Sequence, residues 1–268
     1  MYNDPLRIGD VSLKSRFFLG TGRFPNPLAL RQALEASEAE VVTFAIRRVD
    51  LDRAEDDSLL QHLEDKPLRY LPNTSGSQTA DEAVRIASLA RAAGMGNWIK
   101  VEISVNPRYL LPDPIETLRA TERLAKDGFA VFAYTSDDPI LCKRLEEAGA
   151  AAVMPGGSPI GTGLGLLNPY NIGLIAEEAN VPVIVDAGIG SPKDAAEAME
   201  LGASGILANT PVAKAKHPAM MARAMKLAIE AGRLGYHAGR IPRKPYASAS
   251  SDLQGSLFSS GASREGEP

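Results

Sequence analysis

Eight short runs of β-forming residues recur along the chain, and a stretch with helical signals follows most of them. The runs are Phe17–Thr21, Val41–Ile46, Tyr70–Thr74, Trp98–Ser104, Ala130–Thr135, Ala152–Gly156, Pro182–Ala187 and Gly205–Thr210. They are apolar on both faces, as strands of a parallel sheet covered on two sides must be. Strand–helix alternation specifies an α/β chain, and eight such units in 268 residues favour a (β/α)8 TIM barrel over an open doubly wound sheet. No clear GxGxxG follows the first run, so a dinucleotide-binding fold has little support.

Helix starts are written plainly. Thr79-Ala-Asp-Glu has the form of a capping box. Asp113-Pro114, Asp138-Pro139 and Ser191-Pro192 each set a side-chain cap before a proline at the first helical position. Gly149 and Gly202 follow two of these stretches as stop signals. Met1–Ser15 reads as a short N-terminal extension, an extra strand or hairpin able to plug the barrel bottom. Periodicity fades from Pro242, and Ser248–Pro268 is rich in Ser and Gly. The expected organisation is one barrel domain over 1–250 and a flexible, disordered tail over 251–268.

Charge and composition exclude several classes. There are 29 basic and 33 acidic residues, with no basic run and no interleaving of aromatic and basic residues, so no nucleic-acid partner is expected. Cys142 is the only cysteine, which leaves no disulfide framework and no CxxC site. His62, His217 and His237 are scattered without metal-ligand spacing. No basic N-terminal segment leads into an apolar one, and no apolar run approaches a membrane span, so a soluble cytoplasmic protein is expected.

The chemistry gathers at the C-terminal ends of the strands, where barrels of this kind carry their sites. In the fourth run, Trp98, Lys100, Glu102 and Ser104 share one face, and Ile99, Val101 and Ile103 share the other. One face suits covering helices; the other sends an amine and a carboxylate into the barrel. Burial disfavours an ammonium, so an unpaired Lys100 would tend to the neutral, nucleophilic amine; a buried ion pair is the competing reading. Asp186 ends the buried run Val183-Ile184-Val185. It is either a turn former or a second carboxylate facing Glu102 across the mouth. A lysine with two acids can add to a ketone and shuttle protons during dehydration and tautomerisation. Gly161 and Gly163 after the sixth run, and Gly188 and Gly190 after the seventh, can bring backbone amides close to a phosphate; the alternative is glycine needed for turns alone. Asn209-Thr210 closes the eighth run. Weaker candidates are Arg47 and Arg48, then Asn73, Thr74 and Ser75, while Cys142 reads as a packed thiol.

From about Leu6 to Ser251 the chain resembles the thiazole synthases of bacterial thiamine biosynthesis. The resemblance rests on FFLGTGRF (Phe17–Phe24), LPNTSG (Leu71–Gly76), NWIKVE (Asn97–Glu102), YLLPDPIETL (Tyr109–Leu118), GSPIGTGLGLLNPYN (Gly157–Asn171), VPVIVDAGIGSPKDAAEAMELGA (Val181–Ala203) and YASASS (Tyr246–Ser251). Two departures stand out: Ser77 where the family usually has cysteine, and Gly156 where it usually has leucine.

The resemblance implies formation of the thiazole phosphate from 1-deoxy-D-xylulose 5-phosphate, dehydroglycine and sulfur. Sulfur would arrive as the C-terminal thiocarboxylate of a small sulfur-carrier protein. By the same resemblance Lys100 forms the imine with the sugar ketone, and Glu102 and Asp186 carry protons. Gly161, Ala187-Gly188 and Asn209-Thr210 hold the sugar phosphate. No metal or organic cofactor is implied. A dehydroglycine-producing enzyme and a homo-oligomeric state are. The residues alone also admit a lysine-dependent aldolase of a sugar phosphate, and a non-catalytic scaffold that docks the carrier.

Overall fold

A computed structural model describes residues 4–48 and 67–250. His62 and the tail beyond Ser250 lie outside these residues. Two antiparallel strands, β1 (Leu6–Ile8) and β2 (Val11–Leu13), form an N-terminal hairpin with Leu6 opposite Leu13. Eight parallel strands follow: β3 (Phe17–Gly20), β4 (Val41–Ala45), β5 (Arg69–Asn73), β6 (Trp98–Val101), β7 (Ala130–Thr135), β8 (Ala152–Pro155), β9 (Ile184–Asp186) and β10 (Gly205–Ala208). Their order is β8-β7-β6-β5-β4-β3-β10-β9, and bridges Val153–Val183 and Gly156–Asp186 join the two ends into a ring. The expected (β/α)8 barrel is therefore what forms. Each predicted run coincides with one strand: Ala130–Thr135 agrees at both ends, Tyr70–Thr74 is displaced by one residue against Arg69–Asn73, and the others are longer than the strand they mark by one to three residues.

Four helices begin at the caps read from the sequence, Thr79, Asp113, Asp138 and Ser191, and Asn26 and Asn168 cap two more. Those of the barrel wall are α1 (Pro27–Ser37), α2 (Ala80–Ala92), α3 (Pro114–Lys126), α4 (Pro139–Glu147), α5 (Pro169–Glu178) and α6 (Pro192–Glu200); the short α7 (Thr210–Ala213) and the long α8 (Pro218–Ala238) follow. Asp113 and Asp138 each accept from two backbone amides of the turn they open. Thr79 accepts from Glu82 N, while the Glu82 carboxylate reaches Gln78 N. Ser191 and Asp194 form a full capping box. Each such cap contributes about 1 kcal/mol. From Gly239 to Ser250 the chain is exposed and has neither helix nor strand.

Alternation along the strands sorts the barrel into an inside and an outside. One buried cluster takes a residue from every strand: Phe18, Val41, Leu71, Trp98, Phe132, Met154, Ile184 and Leu207. These point inward. Leu6, Ile8 and Leu13 of the hairpin join them, so the hairpin plugs the N-terminal end of the barrel as expected. Residues of opposite parity, such as Phe17, Leu19, Val42, Val185 and Ile206, pack outward against α1, α6 and α8. Ile99, Val101, Val131, Ala133 and Val153 meet α2 to α5 in the same way.

Two residues beyond each inward hydrophobic residue, the chain changes character. Those positions are Gly20, Thr43, Asn73, Lys100, Tyr134, Gly156, Asp186 and Asn209. Side chains two apart on a strand share a face, so this is the next layer up the barrel. A hydrocarbon floor thus supports a layer that is polar or lacks a side chain, and the site is built there.

Candidate active site

Lys100 and Asp186 stand on β6 and β9, three strands apart around the ring, and both point inward. Lys100 Nζ lies 2.5 Å from Asp186 Oδ2 and 3.3 Å from Glu102 Oε2. All three side chains are buried or nearly so. The ring of Tyr134 lies 5.1 Å from the ammonium.

Glu102 is held by its neighbours rather than by the strand, which ends at Val101. Thr74 Oγ1 donates to the Glu102 carbonyl at 3.0 Å and accepts from its amide at 2.9 Å. Ser77 Oγ donates to the same carbonyl at 3.1 Å and to the Thr74 carbonyl at 2.8 Å. The Ser77 hydroxyl therefore fixes the backbone under Glu102. The departure at Gly156 is also readable: a Cβ there would meet only ordinary contacts, the nearest at 3.6 Å.

Of the two readings of Lys100, neutral amine or buried ion pair, the distances favour the ion pair. Burial alone would push Lys100 down, but Asp186 and Glu102 outweigh it and hold the amine above its ordinary value. Burial raises the Asp186 carboxyl, against the pull of Lys100 and with the help of Glu102. Both directions share one cause. An ammonium with two carboxylates carries one excess negative charge, and a dry site resists that excess by keeping protons. The resting site is an ion-paired ammonium, with Asp186 placed to take its proton. Tyr134 is kept a neutral phenol by burial and by the same two carboxylates.

A cavity of about 490 Å³ opens above this cluster, and every residue singled out as catalytic or substrate-binding lines it: Lys100, Glu102, Asp186, Gly161, Ala187, Gly188, Asn209 and Thr210. Arg47, Asn73 and Ser75, held as weaker candidates, line it too. Asn73 Nδ2 donates to Thr43 Oγ1 at 3.4 Å, which ties β4 to β5 beneath the mouth. Cys142 is elsewhere, packed in α4 with its thiol pushed up to about 12 by burial.

At the rim the loops after β8 and β9 pack closely and take left-handed backbone turns. Ala187 and Gly188 have φ of 66° and 76°, a left-handed turn that alanine enters only at a cost. A Cβ on Gly188 would run into Ser158, with its Cα at 2.8 Å. The amides of Gly190 and Ser191 already donate to Asp194 Oδ2, each at 2.9 Å. The end of α6 is thus capped from within and offers those two donors to no ligand. At Gly20 a Cβ would overlap the side chain of Asn209, whose Cγ would lie 2.8 Å away. Asn209 Oδ1 is buried without a hydrogen-bond partner among the described residues.

Sequence reasoning missed Tyr134, Thr43, Gly20, Arg23 and Lys214. The available signal was the two-residue step above each inward hydrophobic residue, which finds the first three. Arg23 and Lys214 lie beyond strand ends and carry no such mark.

Comparison with known proteins matches residues 7–252 to the family model described as thiazole biosynthesis protein ThiG. A thiazole synthase of Halalkalibacterium halodurans is 70% identical over 93% of this chain and 96% of its own length. Another, from Shouchella clausii, is 67% identical over 95% of this chain and 97% of its own. Among solved structures, Amycolatopsis orientalis BexX in complex with CysO aligns over 91% of this chain and 100% of the other, with a TM-score of 0.81 and 32% identity.

Proposed function

This chain belongs to the ThiG family, enzymes of thiamine thiazole formation, and we propose that this member works through an imine between Lys100 and the ketone of a sugar phosphate. The substrates in this reading are 1-deoxy-D-xylulose 5-phosphate, dehydroglycine, and the C-terminal thiocarboxylate of a sulfur-carrier protein. The observation that carries it is the buried Lys100–Asp186–Glu102 cluster at the foot of a cavity rimmed by glycine loops.

The sugar phosphate binds with its anionic end at the backbone of Gly161, Ala187-Gly188 and Asn209-Thr210, and its ketone over Lys100. The ammonium gives a proton to Asp186 and the free amine adds to the ketone. A protonated carboxyl returns a proton to the departing hydroxyl, and water leaves to give the iminium. Glu102 or Asp186 then lifts a proton from the neighbouring carbon, which moves carbonyl character along the chain. The thiocarboxylate sulfur adds to that carbonyl carbon, the carbonyl oxygen leaves on the carrier as its C-terminal carboxylate, and condensation of the resulting thiocarbonyl with dehydroglycine closes the ring and frees Lys100. The ion pair suits this sequence because each proton Lys100 loses already has a carboxylate within 2.5 Å.

Exposed apolar side chains on the mouth loops, among them Leu110, Leu111, Leu164 and Leu167, favour docking of the carrier there. That BexX was solved with a second protein supports a protein partner. Met220, Leu227 and Leu234, exposed on α8, suit contact between copies in a homo-oligomer. Among the described residues, no helix is long and apolar enough to cross a membrane. The test is borohydride reduction with the pentulose phosphate, followed by peptide mass spectrometry. The adduct is expected on Lys100; an adduct elsewhere, or carbon–carbon cleavage without sulfur, overturns the reading, the second in favour of an aldolase.

A further inference from the structure

Besides Lys100, three cations line the cavity from three neighbouring strands: Lys214 beyond β10, Arg23 beyond β3 and Arg47 beyond β4. None of their side chains has an ion-pair or hydrogen-bond partner among the described residues. Arg47 is exposed and rests against the loop after β5. It lies in the short turn Ile46–Arg48, and its side chain crosses Gly76, where a Cβ would collide with Nη1 and sit 2.7 Å from Cζ. Gly76 has a φ of 100°, so glycine there serves both the turn and the guanidinium.

The position of Arg47 matters as much as its charge. The glycine loops assigned to the sugar phosphate follow β8, β9 and β10. Strand β4 is four places from β8 in a ring of eight, so Arg47 stands on the opposite wall, with Lys100 on β6 between them. A sugar phosphate reaching from the loops to Lys100 leaves that wall free. The second small substrate must enter there, and dehydroglycine is itself a carboxylate. Glu102 and Asp186 repel an anion in that space. A guanidinium both cancels the repulsion and offers a planar fork that matches a carboxylate.

We propose that Arg47 is the anchor for the carboxylate of the glycine imine, a second anion site across the cavity from the phosphate loops. The proposal rests on the function given above. Its test is steady-state kinetics of Arg47→Met and Arg47→Lys, with glyoxylate and ammonium as the source of the imine and a carrier bearing a C-terminal thiocarboxylate. A hydrogen-bonded charge contributes enough that Arg47→Met should raise the KM for glyoxylate about 10- to 100-fold. The KM values for pentulose phosphate and carrier should stay within about twofold, the resolution of such additivity arguments. Arg47→Lys should restore part of the loss, and the borohydride adduct on Lys100 should form in both variants, which establishes that the site is folded. An unchanged glyoxylate KM overturns the proposal, as does a shift that falls on the pentulose phosphate or on the carrier. Wild-type enzyme that forms no thiazole overturns the underlying function instead.

Discussion

Lys100→Met is the substitution that tests the ion-pair cluster most directly. Methionine keeps the length and apolar stem of the lysine and removes the charge, which leaves Asp186 and Glu102 facing each other in a buried site. Removing one partner of a buried pair costs about 3–5 kcal/mol. The cost must depend on pH in a definite direction. In the wild type, the raised Lys100 keeps its proton in the fold, so its contribution is complete below the ordinary lysine value and is lost as pH rises through the folded one. In the variant, Asp186 loses the cation that pulled it down while burial still pushes it up. Its protonation then relieves the repulsion, and stability rises as pH falls from the new Asp186 value toward the ordinary carboxyl range. That recovery proceeds at up to about 1.4 kcal/mol per pH unit. Urea unfolding of both proteins at pH 5, 7 and 9 reads the difference. The penalty should be full at pH 9 and markedly smaller at pH 5. A penalty that is absent, or equal at all three values, would mean that the carboxylates are not charged and opposed in the fold, and the account of the resting site would be wrong.

Two further outcomes follow from the geometry. Gly188→Ala sets a Cβ against Ser158 at a φ of 76°, and should lower stability by about 2–4 kcal/mol, seen as a drop in thermal midpoint, with weaker binding of the sugar phosphate. Burial alone would raise the Asp4 carboxyl, but Arg233, Arg16 and His237 outweigh it and hold it at about 2. Its contribution is thus present above the ordinary carboxyl value and lost as pH falls toward 2. Asp4→Asn should cost about 1–2 kcal/mol at pH 7, a figure kept low for a partly solvated group, and much less at pH 2, where the folded carboxyl is half protonated, as read in denaturant titrations.

Much of the barrel is legible in local chemistry. An Asp-Pro or Ser-Pro pair states a helix start because the cap and the proline act on their own turn, and Asp113, Asp138 and Ser191 all behave so. The alternation of Trp98, Lys100 and Ile99, Val101 likewise assigns inside and outside without knowledge of any other strand. The protonation of Lys100 is of another kind. It depends on Asp186, 86 positions later, coming within 2.5 Å, and no pattern within the Trp98–Ser104 run carries that distance. The contact of Arg47 with Gly76 is of the same kind, since the two stand on different strand–helix connections. The caps of α6 mislead in the other direction, since Gly-Ser-Pro looks like an open anion site until Asp194 is seen to fill it.

The hairpin carrying Leu6, Ile8 and Leu13 makes the barrel a vessel with one door. Among the described residues, hydrocarbon lies beneath Lys100 on the hairpin side, so in the proposed reaction hydrogen ions would reach the amine and its two acids by the route the reactants use. Under the proposed mechanism, once the doorway is filled, the protons those three groups hold would circulate among themselves until a product departs.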